Sequence, residues 1–148
     1  MRRFAIRSVP ALAFCVASGL AACSSGSTTP QTLAQVQAKL AATLPKPYVE
    51  DLVIESVAVE GNTLVEVIRS PLGTAAKTRA NPRFNELRQA EAIELRGWCS
   101  DPVIQQLLKT DAALKRRFVD RNGGVFFEVE MAARACPAAT TNAGAPAP

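Results

Sequence analysis

The sequence predicts a small α+β domain, in which an antiparallel sheet of two hairpins has about three helices packed on one face. Apolar residues recur at three- and four-residue spacing between Thr32 and Leu44, which is typical of an amphipathic helix. Two pairs of β-branched or alternating runs flank turn residues at 61–63 and 122–123. With two helical patterns between these pairs, the predicted order is helix, hairpin, two helices, hairpin, within residues 32–136.

The first helix is predicted from one apolar stripe. Thr32 can cap its amino end, and Pro45 and Pro47 end it. The domain is small and needs each apolar face for its core, so we expect this stripe to be buried. The stripe consists of Leu33, Val36, Leu40 and Leu44.

The first hairpin pairs the β-branched runs 52–59 and 64–68. A three-residue loop sets Val57 against Val67, whereas a two-residue Gly-Asn turn sets Val57 against Glu66. Apolar matching favours the three-residue loop. Since both faces of the hairpin are largely apolar, one face or an open edge along 52–59 is a candidate surface for a partner strand.

The middle of the chain predicts a loop over 71–78 and then two helices. Asn81-Pro82 and Asp101-Pro102 each place a capping side chain before a proline, which favours a helix start. Gly97 should weaken the end of the first of these helices. The apolar positions are Phe84, Leu87, Leu95 and Trp98 in the first helix and Ile104, Leu107 and Leu108 in the second.

The last hairpin has a register that two criteria support. A two-residue Asn122-Gly123 turn pairs apolar residues on one face and opposite charges on the other. Arg116 falls on the apolar face, where it either extends to the sheet edge or contacts a partner. The predicted pairs are Phe118 with Phe127, Leu114 with Met131, Arg117 with Glu128 and Lys115 with Glu130.

The amino terminus has the pattern of an export signal. Arginines at positions 2, 3 and 7 precede an apolar run over 9–16, and Leu20-Ala21-Ala22-Cys23 follows. This last motif resembles the bacterial lipobox. The resemblance implies that a signal peptide at 1–22 is removed, that Cys23 is lipidated, and that 23–31 form a tether. Because Ser24 stands where an aspartate favours inner-membrane retention in enteric bacteria, the implied location is the outer membrane, facing the periplasm.

Removal of the signal changes the charge of the chain. The full sequence has 17 Lys and Arg against 13 Asp and Glu, but three of the arginines lie in the signal. The remaining domain is close to neutral, which argues against a nucleic-acid partner. No later segment has the run of about 20 apolar residues that a membrane-spanning helix needs, so membrane attachment is expected through the lipid alone.

Cysteine usage predicts one disulfide. Cys15 leaves with the signal and Cys23 carries lipid, so Cys99 and Cys136 remain in an oxidising compartment. The alternatives are free thiols or a redox couple, but a redox couple usually has C-x-x-C spacing. The set of Cys99-Ser100-Asp101-Pro102, a glycine-turn hairpin and Cys136 is similar to small periplasmic proteins of proteobacteria, most without an assigned activity. Residues 137–148 form an Ala/Pro tail that we interpret as disordered.

The sequence does not contain a recognisable catalytic constellation. It has no histidine, which excludes Ser-His-Asp and Cys-His triads and most zinc ligand sets. No Ser-x-x-Lys motif or glycine-rich phosphate loop is present. Glu91 and Glu94 share a helix with Arg88 and Arg96, so we interpret these acids as solvated ion-pair partners. We therefore expect no catalytic residue, metal ligand, cofactor or small-molecule substrate.

These observations favour a non-enzymatic, lipid-anchored periplasmic module that binds another envelope protein, as an accessory lipoprotein of an envelope assembly or secretion system. The candidate partner-binding residues are Leu52, Ile54 and Arg116. One alternative is an inhibitor or immunity protein against a cell-wall hydrolase or toxin. The other is an enzyme of unassigned class.

Overall fold

The computed structural model describes residues 28–137. The predicted signal peptide, the predicted lipidation site Cys23 and most of the predicted tail lie outside these residues. The helices are α1 (Thr29–Ala41), α2 (Ala75–Arg79) and α3 (Phe84–Glu94), with 3₁₀ turns at Leu95–Ser100, Ile104–Leu107 and Ala133–Ala135. The strands are β1 (Lys46–Pro47), β2 (Val53–Glu60), β3 (Thr63–Ser70), β4 (Ala113–Asp120) and β5 (Val125–Ala132). Within the described range, none of the helices is long and apolar enough to cross a bilayer.

The five strands form one mixed sheet in the order β1-β2-β3-β4-β5. The predicted α+β class is confirmed, but the expectation of a wholly antiparallel sheet is wrong because β3 and β4 are parallel. The helical segment between them carries the chain back to the end of the sheet at which β3 begins, so β4 runs beside β3 in the same direction. Strand β1 was not predicted, since a two-residue strand made of Lys46 and Pro47 carries no periodic signal.

Helix α1 begins earlier than the sequence predicts. It starts at Thr29 instead of Thr32, so residues 29–31 belong to the helix and not to the tether. The Thr28 N–H donates to Gln31 Oε1 at 3.2 Å, which satisfies one of the free donors at the helix start. Leu33 and Val36 are fully buried against the inner face of the sheet, as the apolar stripe predicts.

The prediction of a loop over 71–78 is wrong at its carboxyl end, where the short helix α2 occupies Ala75–Arg79. The Thr74 hydroxyl accepts a hydrogen bond from the Lys77 N–H, as an N-cap does. Helix α3 ends at Glu94, before Gly97, and the chain continues as a 3₁₀ turn. The second predicted helix is present as a 3₁₀ turn that begins at Ile104, two residues after Pro102, and Asp101 Oδ1 accepts a hydrogen bond from the Val103 N–H at 2.7 Å just before it.

The two hairpins differ in how well their registers were predicted. All four predicted pairs of the β4–β5 hairpin are present. The predicted three-residue loop of the first hairpin is wrong: a two-residue Gly61-Asn62 turn sets Val57 opposite Glu66. Matching apolar residues across the strands assumes that Glu66 cannot lie on the buried face. It does lie there, opposite Val57, because Arg116 pairs with its charge and no unpaired charge is left in the core.

The outer face of the sheet is covered by ion pairs that cross the strands. Lys115 Nζ lies 2.9 Å from Glu130 Oε2, and Arg69 Nη2 lies 2.6 Å from Glu55 Oε2. The Arg117 guanidinium bonds both Glu128 on β5 and Glu60 on β2. It therefore reaches across β3. The stems of these long side chains cover Val65, which is fully buried although no helix among residues 28–137 is seen to pack on this face.

The predicted disulfide between Cys99 and Cys136 is confirmed. Their Cα atoms lie 5.5 Å apart, and both residues are buried in the core. Cys99 belongs to the 3₁₀ turn after α3, and Cys136 follows the last strand. The bridge therefore joins the helical layer to the end of the sheet.

Asp120 joins α2 to the last hairpin, and we predict that its charge stabilises both. Its carboxylate accepts N–H bonds from Ala75, Asn122 and Gly124 at 2.9, 2.8 and 2.7 Å. These bonds, that of Ala75 foremost, lower the pKa of Asp120. A lowered pKa in the folded state gives stability that is present above the unfolded pKa of about 3.9 and is lost as the pH falls through the folded value.

We therefore expect Asp120→Asn to lower the melting temperature at pH 7. The difference in melting temperature between the variant and wild type should become smaller as the pH falls towards 3. Thermal unfolding between these pH values measures both effects. A gap that is absent at pH 7, or that does not change with pH, would contradict the role of the charge.

Candidate functional site

The three predicted partner-binding residues have different environments. Leu52 is half-buried and lines an open cleft, whereas Ile54 is buried in the core and Arg116 is buried beneath the helices. Burial keeps Ile54 and Arg116 from touching a partner in this structure, so the prediction that both form a surface contact needs correction. The edge of β2 is also partly occupied, because β1 pairs with Ile54 and Val53.

Arg116 forms a buried ion pair with Glu66. Their side chains are 9% and 4% exposed, and Arg116 Nε donates to Glu66 Oε2 at 2.8 Å. The parallel pairing of β3 with β4 sets the two residues directly opposite each other on the inner face. The guanidinium carbon also lies 5.1 Å from the centre of the Tyr48 ring and 5.9 Å from that of Trp98.

Tyr48 connects this ion pair to helix α3. Arg116 Nη1 donates to Tyr48 Oη at 2.9 Å, and the Tyr48 hydroxyl donates to Glu91 Oε2 at 2.6 Å. Glu91 thus reaches inward, instead of being the solvated helical acid that the sequence indicates. The network joins the segment after β1, strand β4 and α3, and among the described residues no buried side-chain polar atom lacks a partner.

The electrostatics of the network follow from its burial. Burial raises the pKa of Glu66, and the Arg116 charge opposes that rise. Burial, followed by the hydrogen bond to Glu91, raises the pKa of the Tyr48 hydroxyl far above its usual range. Tyr48 therefore stays protonated and acts as a hydrogen-bond donor, which suits a structural connection better than proton transfer near neutral pH.

Beside the network lies an open cleft of about 210 Å³ between α3 and the turn that follows Tyr48. Three aromatic rings form much of its lining, and the rings of Phe118 and Phe127 stack at a centroid distance of 4.6 Å. Small-molecule sites usually measure about 300–1,000 Å³, so this volume suits one or two apolar side chains better than a whole ligand. The apolar lining residues are Leu52, Leu87, Phe118, Phe126 and Phe127.

The rim of the cleft is acidic. Glu50, Asp51 and Glu91 contribute carboxylates to the lining, which also includes Thr78 and the buried Ser70. Glu91 is bonded to Tyr48, but Glu50 and Asp51 are exposed and make no ion pair or side-chain hydrogen bond within residues 28–137. An apolar anchor with a neighbouring cation on a partner would complement this rim.

Within residues 28–137, no three potential ligands among His, Cys, Asp and Glu are grouped to hold a metal ion. Tyr48 and Glu66 were missed as members of the central network. The sequence contains two signals for it: an arginine on an apolar strand face, and a glutamate between two valines that only the two-residue turn places opposite Val57.

Solved structures that share this fold include two bacterial proteins. A candidate secreted protein of Pseudomonas aeruginosa is 23% identical with a TM-score of 0.57, over 74% of this chain and 93% of that one. EpsS, a pilotin from the type 2 secretion system of Vibrio vulnificus, is 17% identical with a TM-score of 0.50, over 74% of this chain and 96% of that one. No protein-family model and no curated protein matches the sequence. At these identities the likeness establishes the fold.

Proposed function

We propose that this protein is a non-enzymatic, lipid-anchored periplasmic module that binds another envelope protein through the aromatic cleft. The observation that carries the proposal is an open, aromatic-lined cleft with an acidic rim, next to an exposed leucine. The shared fold with a secretion-system pilotin supports an accessory role in an envelope assembly or secretion system.

Helix α3 is built like an interface element. None of its residues is buried, and Leu87 and Ile93 remain 41% and 68% exposed. The helix is fixed by a few contacts, including the Glu91 bond to Tyr48 and the edge-to-face packing of Phe84 on Phe127. An amphipathic helix whose apolar residues stay in water gains stability when a partner covers them.

The proposed location rests on the lipobox-like Leu20-Ala21-Ala22-Cys23. Lipidation of Cys23 would hold the domain at the outer membrane, facing the periplasm, within reach of envelope proteins. Metabolic labelling with a palmitate analogue should mark the wild type. A Cys23→Ser variant should be unlabelled, and a labelled variant would refute this site of attachment.

We predict that a photo-crosslinking amino acid at position 87 captures one envelope protein in intact cells. A matched probe at position 55, on the charged outer face, should capture far less of it, because Glu55 lies on the opposite side of the sheet. Mass spectrometry identifies the captured protein. A subunit of an envelope complex supports the proposal, whereas equal capture from both positions contradicts docking at the cleft.

The same measurement separates the proposal from the inhibitor or immunity alternative. An exported hydrolase or toxin captured at position 87, and inhibited by the purified protein, would replace the accessory role with that of an inhibitor or immunity protein. A Leu87→Asp variant that stays folded should lose the capture, because a carboxylate next to Glu91 disfavours an apolar anchor at the rim.

A further inference from the structure

The two edges of the sheet are protected to different degrees. At one edge, β1 pairs with the start of β2, and Gln37 Nε2 from α1 donates to the Val57 carbonyl at 3.1 Å. At the other edge, β5 pairs only with β4 among residues 28–137. No side chain in this range hydrogen-bonds the backbone of residues 125–132. Strand β5 therefore presents one side to which a further strand could be added.

The ladder identifies which backbone groups of β5 point outward. The Ala133 N–H donates to the Ala112 carbonyl at 2.9 Å, so this pair is of the hydrogen-bonded kind. Hydrogen-bonded pairs alternate along an antiparallel ladder, and the register therefore makes Leu114–Met131 and Arg116–Val129 the next two. The intervening Glu128 and Glu130 direct their N–H and carbonyl groups away from β4.

The side chains along β5 define the chemistry of a matching strand. Phe127 and Met131 are half-buried on the inner face, where an added strand would supply apolar neighbours. Glu128 and Glu130 lie on the outer face, with side chains 36% and 47% exposed. Among residues 28–137, the cations that pair with them are Lys115 and Arg117 on the β4 side, so the other flank of each carboxylate is available to a cation of a partner.

A groove of about 410 Å³ lies at the carboxyl end of this edge. Its lining includes Glu130, Met131 and Ala132 of β5, Ala113 at the start of β4 with Asp111 and Ala112 before it, and Arg134. The groove therefore spans the β4–β5 pair where the free edge of the sheet ends.

We propose that β5 accepts an extended segment of a partner protein in which apolar residues alternate with lysine or arginine, by strand addition to the sheet. The inference rests on the proposed partner-binding function and assigns it a second surface, separate from the cleft. A second copy of this chain does not fit, because antiparallel pairing of β5 with itself sets acids near acids. The chain's own carboxyl end does not fit, because residues 138–148 contain no lysine or arginine.

The test uses the protein as processed by a Gram-negative host and a capped octapeptide of alternating lysine and valine as the probe. Fluorescence anisotropy measures binding, and hydrogen exchange followed by mass spectrometry locates it. We expect slower exchange in residues 125–132 and weaker binding at higher salt. A capped peptide of alternating glutamate and valine should not bind. Because this assay does not involve the cleft, it can fail while crosslinking at position 87 succeeds, and the reverse also holds.

Three variants separate strand addition from simple charge attraction. Glu128→Gln with Glu130→Gln should weaken binding about fivefold, the effect of losing two cross-strand charge pairs. The control, Glu55→Gln, removes an acid from the same face whose ion pair with Arg69 is separate from the Lys115 and Arg117 pairs, and it should bind like wild type. Glu130→Pro removes one outward N–H and should also weaken binding, with circular dichroism as the check on folding.

Equal weakening by the glutamine pair at positions 128 and 130 and by Glu55→Gln would overturn the proposal in favour of a general acidic surface. Peptide protection outside residues 125–132 would also overturn it. A stable dimer in analytical ultracentrifugation, with β5 already protected from hydrogen exchange before peptide is added, would overturn it as well.

Discussion

Replacing Arg116 with methionine is expected to lower the free energy of unfolding by about 3–5 kcal/mol, the usual cost of leaving one member of a buried ion pair without its partner. The Glu66 carboxylate would remain in the core, with its side chain only 4% exposed and its hydrogen-bonding cation gone. Tyr48 would lose the donor that orients its hydroxyl. Urea denaturation at constant pH measures the change.

The stability that Arg116→Met loses should depend on pH in a defined direction. Burial already raises the pKa of Glu66 in the native protein, and removal of Arg116 raises that pKa further. A carboxyl whose folded pKa exceeds its unfolded value contributes most stability below the unfolded value, about 4.3, and loses it as the pH rises through the folded value. The deficit of the Arg116→Met variant is therefore expected to be smaller at pH 5 than at pH 8.

Two further variants decide whether the ion pair itself stabilises the fold. Replacing both residues, as Arg116→Met with Glu66→Leu, removes both buried charges and should restore stability to within about 1.5 kcal/mol of wild type. Arg83→Met breaks an exposed pair, with side chains 77% and 67% exposed, and should change stability by less than about 1 kcal/mol. If the double variant is as unstable as Arg116→Met, then the hydrogen bonds of the network stabilise the fold beyond the mutual neutralisation of the two charges.

The sequence patterns correctly predicted those parts of the fold that depend on residues close to one another in the chain. The Asn122-Gly123 turn and alternating side chains fix the last hairpin, because apolar and charged pairs agree on one register. The stripe from Leu33 to Leu40 fixes α1 for the same reason. Once Cys15 and Cys23 are assigned to the predicted signal peptide and lipid site, two cysteines remain, and that suffices to predict their bridge.

The remaining errors come from interactions between distant parts of the chain. Glu66 and Arg116 lie 50 residues apart, and only the parallel pairing of β3 with β4 brings them together. Without that pairing, Glu66 has no reason to face the core, and apolar matching selects the wrong turn for the first hairpin. The cleft is equally non-local, since it combines α3, Leu52 and the aromatic residues of β4 and β5.

Removing the disulfide with Cys99→Ala and Cys136→Ala is expected to cost about 4 kcal/mol, because the bridge closes a long loop that the unfolded chain would otherwise explore. The two cysteines are 37 residues apart, and the loop contains the β4–β5 hairpin. For a domain of this size, the loss corresponds to a fall in melting temperature of about 15–30 °C. Thermal and urea unfolding of the oxidised wild type and the double variant measure it.

Reduction provides the control for side-chain size. Wild type unfolded in the presence of a reductant should match the double variant, whereas the reductant should leave the variant unchanged. A steeper dependence of the unfolding free energy on urea in the variant would indicate a more expanded unfolded state. This is expected if the disulfide stabilises the fold by restricting the unfolded chain. A loss below about 1 kcal/mol would show that the buried contacts of the 3₁₀ turn at Leu95–Ser100 hold the helical layer on the sheet without the bridge. The cleft beside α3 would then depend on the Tyr48–Glu91 bond and the Phe84–Phe127 contact for its shape.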